Sequence, residues 1–344
     1  MEALVIHAPG DLRVEQVDTP ELLPHQLQVR VRCGGICGSD LHYYQHGGFG
    51  TVRIQQPMVL GHEVAGSVEQ VGADVTGLAP GERVAISPSR PCGQCRYCQQ
   101  GLHNHCLDMR YYGSAMRMPH VQGAFRQRIV CDASQAHKLA DHVSDAEGAM
   151  AEPLSVALHA VNRAGPLLGK SVLVTGCGPI GAMAVIAARR AGATHIVVTD
   201  MAAQPLRTAL KIGADQAIDV KAEPDALRAF SADKGQFDVL FEASGNARAL
   251  VGAFDALRPR GIIVQMGLGG EMTLPVNTIV AKEFDLRGTF RFHAEFATAV
   301  QLLNQRLVDL KPLISATLPY RDAGKAFALA ADRSQAMKVI LDFT

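Results

Sequence analysis

The chain has no tryptophan, and aromatic residues make up only 5% of its 344 positions. A protein that stacks unpaired bases needs exposed rings, so a single-strand nucleic-acid platform is disfavoured. Excess charge of either sign is missing too. Lys and Arg number 33, Asp and Glu 33, and the isoelectric point is near 7.2. Nucleic acids and anionic membranes are gripped by a basic face, so neither is expected as a partner. No apolar run approaches the roughly 20 residues that span a bilayer. The longest, 180–188, reads as a buried helix. The stretch Met1-Glu2-Ala3-Leu4-Val5-Ile6-His7 lacks a charged region followed by an apolar one, so no secretory leader is expected. The expectation is a cytoplasmic protein whose eight cysteines are thiols or metal ligands rather than disulfides.

What is present is ample apolar material, 48% of residues, in a chain long enough for two domains. Up to about residue 148 the sequence is rich in Gly, Pro and short β-type runs, at 27–32, 63–71 and 82–86. Turn signals such as Ala79-Pro80-Gly81-Glu82 separate them, a texture that predicts a distorted β-barrel or sandwich. From about 150, strands and helices alternate. Strands are expected at 171–175, 195–199, 216–219, 237–242, 261–266 and 284–288, with a helix at 182–191. That alternation predicts a doubly wound parallel sheet. Helices at 295–306 and 322–331 are expected to return to the first domain.

Cys92, Cys95, Cys98 and Cys106 are spaced C-x2-C-x2-C-x7-C, and Gly93 and Gly101 permit the tight backbone such a loop needs. Four thiolates without an open position describe a structural zinc. The rival is an iron–sulfur cluster, but ferredoxin-type runs place the fourth cysteine closer and follow it with proline.

Gly176-Cys177-Gly178-Pro179-Ile180-Gly181 is G-x-G-x-x-G after a β run and before an Ala-rich helix, and the next strand ends in Asp200. In that setting the glycines, with Pro179 and Ile180, bring backbone close to a pyrophosphate at a helix N-terminus. Asp200 would accept hydrogen bonds from the adenosine ribose, favouring NAD over NADP by repelling a 2′-phosphate. Arg207 is either a group over the adenine-ribose or a solvated helix charge.

Cys37-Gly38-Ser39-Asp40-Leu41-His42, Gly61-His62-Glu63 and Glu152-Pro153 supply Cys, His and carboxylate, the ligand types of zinc. They are expected to converge on one metal. Together with Ala151-Glu152-Pro153-Leu154, the four-cysteine loop and the dinucleotide turn, in that order along nearly the whole chain, they make it resemble the zinc-dependent medium-chain alcohol and polyol dehydrogenases.

The resemblance implies a GroES-like β-barrel catalytic domain (1–148 and 292–344) and an NAD-binding Rossmann domain (149–291). It implies two zinc ions; separately, a parallel sheet with an exposed edge near 284–291 makes a homodimer or homotetramer the expected assembly. Cys37 and His62 would be catalytic zinc ligands, with Glu152, Glu63 or water completing the shell. Asp40 would hydrogen-bond the His62 ring, Ser39 would touch the substrate hydroxyl, and His42 would pass its proton outward. Gly245, Gly267, Leu268 and Gly269 would line the nicotinamide half, with Phe290 and Arg291 where substrate and nicotinamide meet. The implied reaction is oxidation of a secondary hydroxyl of a sugar acid, L-idonate in particular. The alternatives are a sorbitol- or xylitol-type polyol, or a nucleotide-sensing protein without catalysis. For a substrate carboxylate, Arg110, Arg117, His120 and Arg291 are the candidate cations, with Tyr43 beside them. Purified protein is expected to be colourless with zinc in the cysteine loop; a brown, iron-containing preparation would refute that reading.

Overall fold

The structure, a computed structural model, describes residues 1–344. The chain forms two compact units. One comprises Met1–Glu152, Phe296–Asp332 and Lys338–Thr344; the other comprises Pro153–Glu295 and Arg333–Met337.

The first unit is built around the strand Gln26–Gly35. Its Leu27, Val29 and Val31 are buried and Arg30 is exposed, the period-two alternation of a strand with one face in a core. Along one edge it pairs antiparallel with Glu63–Val71, from Leu27 opposite Val71 to Gly35 opposite Glu63. Its other edge is shared. Gln26 to Arg30 pair with Arg128–Asp132, and Cys33 to Gly35 pair with Lys338–Asp342. One strand serving two partners along the same edge curls the sheet, and register shifts at Gln28/Val29 and Val31/Cys33 add twist. The sheet runs Ala136–Lys138, Arg83–Ile86, Glu63–Val71, Gln26–Gly35, Lys338–Asp342, Ile314–Pro319. The Gln26–Gly35 and Glu63–Val71 ladder therefore closes at Gly35 and Glu63, and Lys338 begins the strand beside it.

The second unit holds six parallel strands in the order Gln216–Asp219, His195–Asp200, Ser171–Thr175, Phe237–Glu242, Leu257–Gln265, Asp285–Gly288. The inner strands are apolar without alternation, as strands covered on both faces must be: Val172 to Val174, Ile196 to Val198 and all of Phe237–Glu242 are buried. The order reverses between Ser171–Thr175 and Phe237–Glu242, so the carboxyl ends of these two strands flank the crevice where such sheets take ligands.

Of the boundaries that differ from the expected ones, two have a clear local cause. The helix after the glycine turn starts at Pro179, not 182, because proline at the first helical position gives up no hydrogen bond and has its φ preset. The fifth strand starts at Leu257, since Leu257 already pairs with Phe237 before the register shifts around Arg258 to Gly261. No helix is long and apolar enough to cross a membrane.

Candidate active site

The metal-ligand candidates sit where strands of the first unit end. Cys37 caps the helix Gly38–His46 just past the Gln26–Gly35 strand. His62 precedes the Glu63–Val71 strand, and Gly61 before it has φ +90°. A Cβ on Gly61 would stand 2.1 Å from the Phe125 ring, so only glycine lets the chain turn there and deliver His62. One ligand atom each from Cys37, His62 and Glu63 all lie within 4.8 Å of one another.

Asp40 is fully buried at the start of that helix. Its Oδ1 is 3.8 Å from His62 Nδ1, beyond hydrogen-bond length. Its bonds go instead to the backbone, from Cys37 N at 3.0 Å and Gly61 N at 3.2 Å. It thereby ties the two ligand-bearing turns together and acts on His62 through charge. Burial alone would lower the His62 pKa, but Asp40, Cys37 and Glu152 raise it to about 10. A pocket that calls so strongly for positive charge on a buried imidazole suits a dication held by the same groups. Thiolate, imidazole and carboxylate are also a donor set that zinc accepts.

Glu152 is 4% exposed and stands outside the Cys37–His62–Glu63 cluster. Its Oε1 accepts a 2.5 Å hydrogen bond from the Tyr111 hydroxyl, and the Tyr111 ring lies 5.7 Å from that of His62. Glu63 is engaged by Lys338, whose ammonium is 2.6 Å from Oε1 and 2.5 Å from Oε2 and also donates to Ile36 O. Both side chains are buried. Burial pushes the Glu63 carboxyl up to about 7 against the pull of Lys338. Burial works against the Lys338 ammonium as well, yet Glu63, with Cys37 and Glu152, holds its pKa above the ordinary lysine value.

Ser39 is half-buried and His42 exposed, one helical turn apart on Gly38–His46 and so on one face. Tyr43 is one turn on from Ser39 but is turned into the core. It is 1% exposed, and its hydroxyl accepts from Ala115 N at 3.0 Å. It anchors the 114–116 segment instead of opening toward a substrate. Arg110 is exposed and opposite Arg90 in a two-residue ladder, and Arg117 is ion-paired with Asp108. His120 is not a cation here. Its Nε2 accepts from Gln55 N at 2.9 Å, which leaves Nδ1 as the protonated nitrogen, 2.7 Å from Arg117 O. A buried ring used this way is neutral.

The four sulfurs of Cys92, Cys95, Cys98 and Cys106 lie within 4.8 Å of one another, with Cys95 to Cys98 at 3.6 Å and Cys95 to Cys106 at 4.0 Å. A tetrahedron with zinc–sulfur bonds of about 2.3 Å places its sulfurs roughly 3.8 Å apart. Backbone amides of Cys98 and Leu107 lower the Cys95 thiol to about 6, favouring the ligating thiolate.

In the second unit Gly176 has φ +82° and donates to Thr199 O, and the helix Pro179–Arg190 begins after Gly178. Asp200 ends its strand beside that turn. Its carboxylate accepts from Cys177 N at 2.7 Å, Met201 N at 2.7 Å and Ala202 N at 3.0 Å. Arg207 is exposed on Ala203–Lys211. Gly245, Gly267 and Gly269 pack backbone against backbone. Leu268 is 85% exposed, and the Arg291 guanidinium lies 5.0 Å over the Phe290 ring.

Sequence reading missed Lys338 and Tyr111. A lone lysine heading the apolar run Val339-Ile340-Leu341 was the available signal for the first. Nothing local marks Tyr111.

Comparison with known proteins adds the family. Residues 23–141 match the model of the alcohol dehydrogenase GroES-like domain, and residues 179–305 that of the zinc-binding dehydrogenases. The chain is 44% identical over 316 residues to L-idonate 5-dehydrogenase (NAD(P)(+)) of Escherichia coli, covering 92% of this chain and 91% of that one. It is 39% identical over 343 residues to sorbitol dehydrogenase of Gallus gallus, covering 98% and 95%. The crystal structure of L-idonate 5-dehydrogenase from Escherichia coli superposes with a TM-score of 0.94 at 41% identity, covering 99% and 97% of the two chains.

Removing one partner of a buried ion pair strands the other, at a cost of about 3–5 kcal/mol. Lys338→Met is therefore expected to destabilise the protein by about that much in denaturant titration, and adding Glu63→Gln to recover part of the loss. Additive single effects would show that the pair is not coupled.

Proposed function

We propose, for a chain that belongs to the GroES-like, zinc-binding alcohol dehydrogenase family, that its reaction is the reversible NAD-linked oxidation of L-idonate at its C5 hydroxyl. At the coarser level it is an oxidoreductase acting on CH–OH groups of polyols or sugar acids. The observation that carries the reading is the convergence of Cys37, His62 and Glu63 beside the helix that bears Ser39 and His42.

Cys37, His62 and Glu63 would hold the catalytic zinc, with Glu152, fixed by Tyr111, as a further carboxylate. Cys92, Cys95, Cys98 and Cys106 would hold the structural one. Zinc so held would act as a Lewis acid, drawing the pKa of a bound hydroxyl down toward the range of about 7 known for zinc-bound water. Ser39 contacts the substrate hydroxyl and accepts its proton as it passes its own hydroxyl proton on toward His42. His42, one turn along and exposed, hands that proton to solvent. Asp200 takes the adenosine ribose hydroxyls and repels a 2′-phosphate. Bound NAD would accept the hydride, with Gly245, Gly267, Leu268 and Gly269 beside its nicotinamide half.

Arg110 and Arg117 are the cations assigned to the substrate carboxylate, with Arg291 as a third. The edge strand Asp285–Gly288 exposes Leu286, and Val276 and Val280 are exposed nearby in sequence. We read this edge as the contact of a homodimer or homotetramer. A cytoplasmic location belongs to the same reading.

NADH absorbance during incubation with a panel of aldonates and polyols tests the assignment. L-idonate is expected to exceed sorbitol and xylitol in kcat/KM, and a chelator to abolish turnover. Faster sorbitol oxidation would sink the sugar-acid reading. Arg110→Ala and Arg117→Ala are each expected to raise KM for L-idonate about tenfold, the loss of one charge-assisted hydrogen bond, while leaving KM for sorbitol alone. Asp200→Ala is expected to narrow the NAD over NADP preference by about tenfold or more; an unaltered preference would remove Asp200 from that role.

A further inference from the structure

Glu242, at the carboxyl end of the Phe237–Glu242 strand, is fully buried. It appears in no motif and none of the roles above uses it. Five donors converge on its carboxylate. Oε1 accepts from Ser244 N at 2.9 Å, from the Ser244 hydroxyl and from Thr175 Oγ1 at 3.5 Å. Oε2 accepts from Gly245 N at 3.1 Å and Gln265 Nε2 at 2.6 Å. None of these partners is a cation, so the charge is met by dipoles alone. The Glu242 backbone carbonyl also accepts from Met266 N and Gly267 N, both at 2.8 Å.

These bonds reach three segments at the reversal point of the sheet: the end of Ser171–Thr175, the turn at 244–245 and the loop at 265–267. The last two are in backbone contact further out, since a Cβ on Gly269 would stand 1.6 Å from Gly245 O. A shift in the 244–245 turn must therefore move 267–269.

We propose that Glu242 is a positioning residue for the nicotinamide half of the dinucleotide site, holding the 244–245 turn and the 265–269 loop in their binding geometry. This rests on the reading that the second unit binds NAD with Gly245, Gly267 and Gly269 at the nicotinamide end. Glutamine cannot replace glutamate here. If its amide nitrogen takes the Oε1 place, it opposes Ser244 N–H. In the Oε2 place it opposes Gly245 N–H and the Gln265 amide. Gln265 can turn over only by giving up its 2.8 Å bond to Gly267 O. Either way a polar group that holds this loop loses its partner.

The test uses full-length zinc-loaded protein, with NADH binding followed by fluorescence and ADP-ribose, which lacks the nicotinamide, followed by competition. Glu242→Gln is expected to weaken NADH roughly tenfold and to leave ADP-ribose unchanged. Ser244→Ala, which keeps the carboxylate and removes one donor, is expected to weaken NADH less, again sparing ADP-ribose; it carries the test should Glu242→Gln unfold. Equal weakening of both ligands would make Glu242 a general support of the sheet and overturn the proposal, as would unchanged NADH affinity in both variants. Failure of the wild-type protein to bind either ligand would instead overturn the functional reading on which the proposal stands.

Discussion

The buried ion pair between Glu63 and Lys338 is the constraint on which the first unit depends. Asp40, Glu63, Glu152 and Cys37 bring acidic groups into one desolvated region, and isolated buried charge is among the costliest features a fold can carry. Lys338 meets part of that charge from within the protein, and a dication at Cys37, His62 and Glu63 would meet more. The pair also fixes geometry. Because the ammonium spans both Glu63 oxygens and reaches Ile36 O, it joins the strand Lys338–Asp342 to the turn that carries Cys37.

The second unit neutralises its buried carboxylate differently. Glu242 is surrounded by amide and hydroxyl donors rather than by a lysine. An ammonium on a flexible stem tolerates changes in what else binds the carboxylate. A ring of oriented dipoles does not, since two of its members are backbone amides and the others sit on the same short turn, loop and strand end. Glu63 beside Cys37 and His62, and Glu242 behind the 244–245 turn, are thus suited to different tasks, although both are buried glutamates at strand ends.

Much of this was legible before any coordinates. The four cysteines and the glycine turn declare themselves because their partners are close in sequence and the required spacing is narrow. The parallel sheet shows as uninterrupted apolar runs such as Val172 to Val174. What stayed hidden depends on pairing across long separations: Lys338 reaches Glu63 over 275 residues, and Tyr111 reaches Glu152 over 41. Residue type misled in two places. His120 reads as a cation until Gln55 N is seen donating to it, and Asp40 reads as a partner for the His62 ring until its oxygens prove to be taken by amides. In each case a backbone N–H, which carries no sequence signature, decided the outcome.

The discontinuity of the first unit has a consequence for biosynthesis. Its sheet is completed by Ile314–Pro319 and Lys338–Asp342, which follow the whole of 153–295 in the chain. During translation the second unit's six strands are all synthesised before the lysine that pairs with Glu63 has been added. Until then Glu63 has no ammonium and Cys33 to Gly35 of the strand Gln26–Gly35 are unpaired along one edge. The first unit, although it starts first, is the one that finishes last.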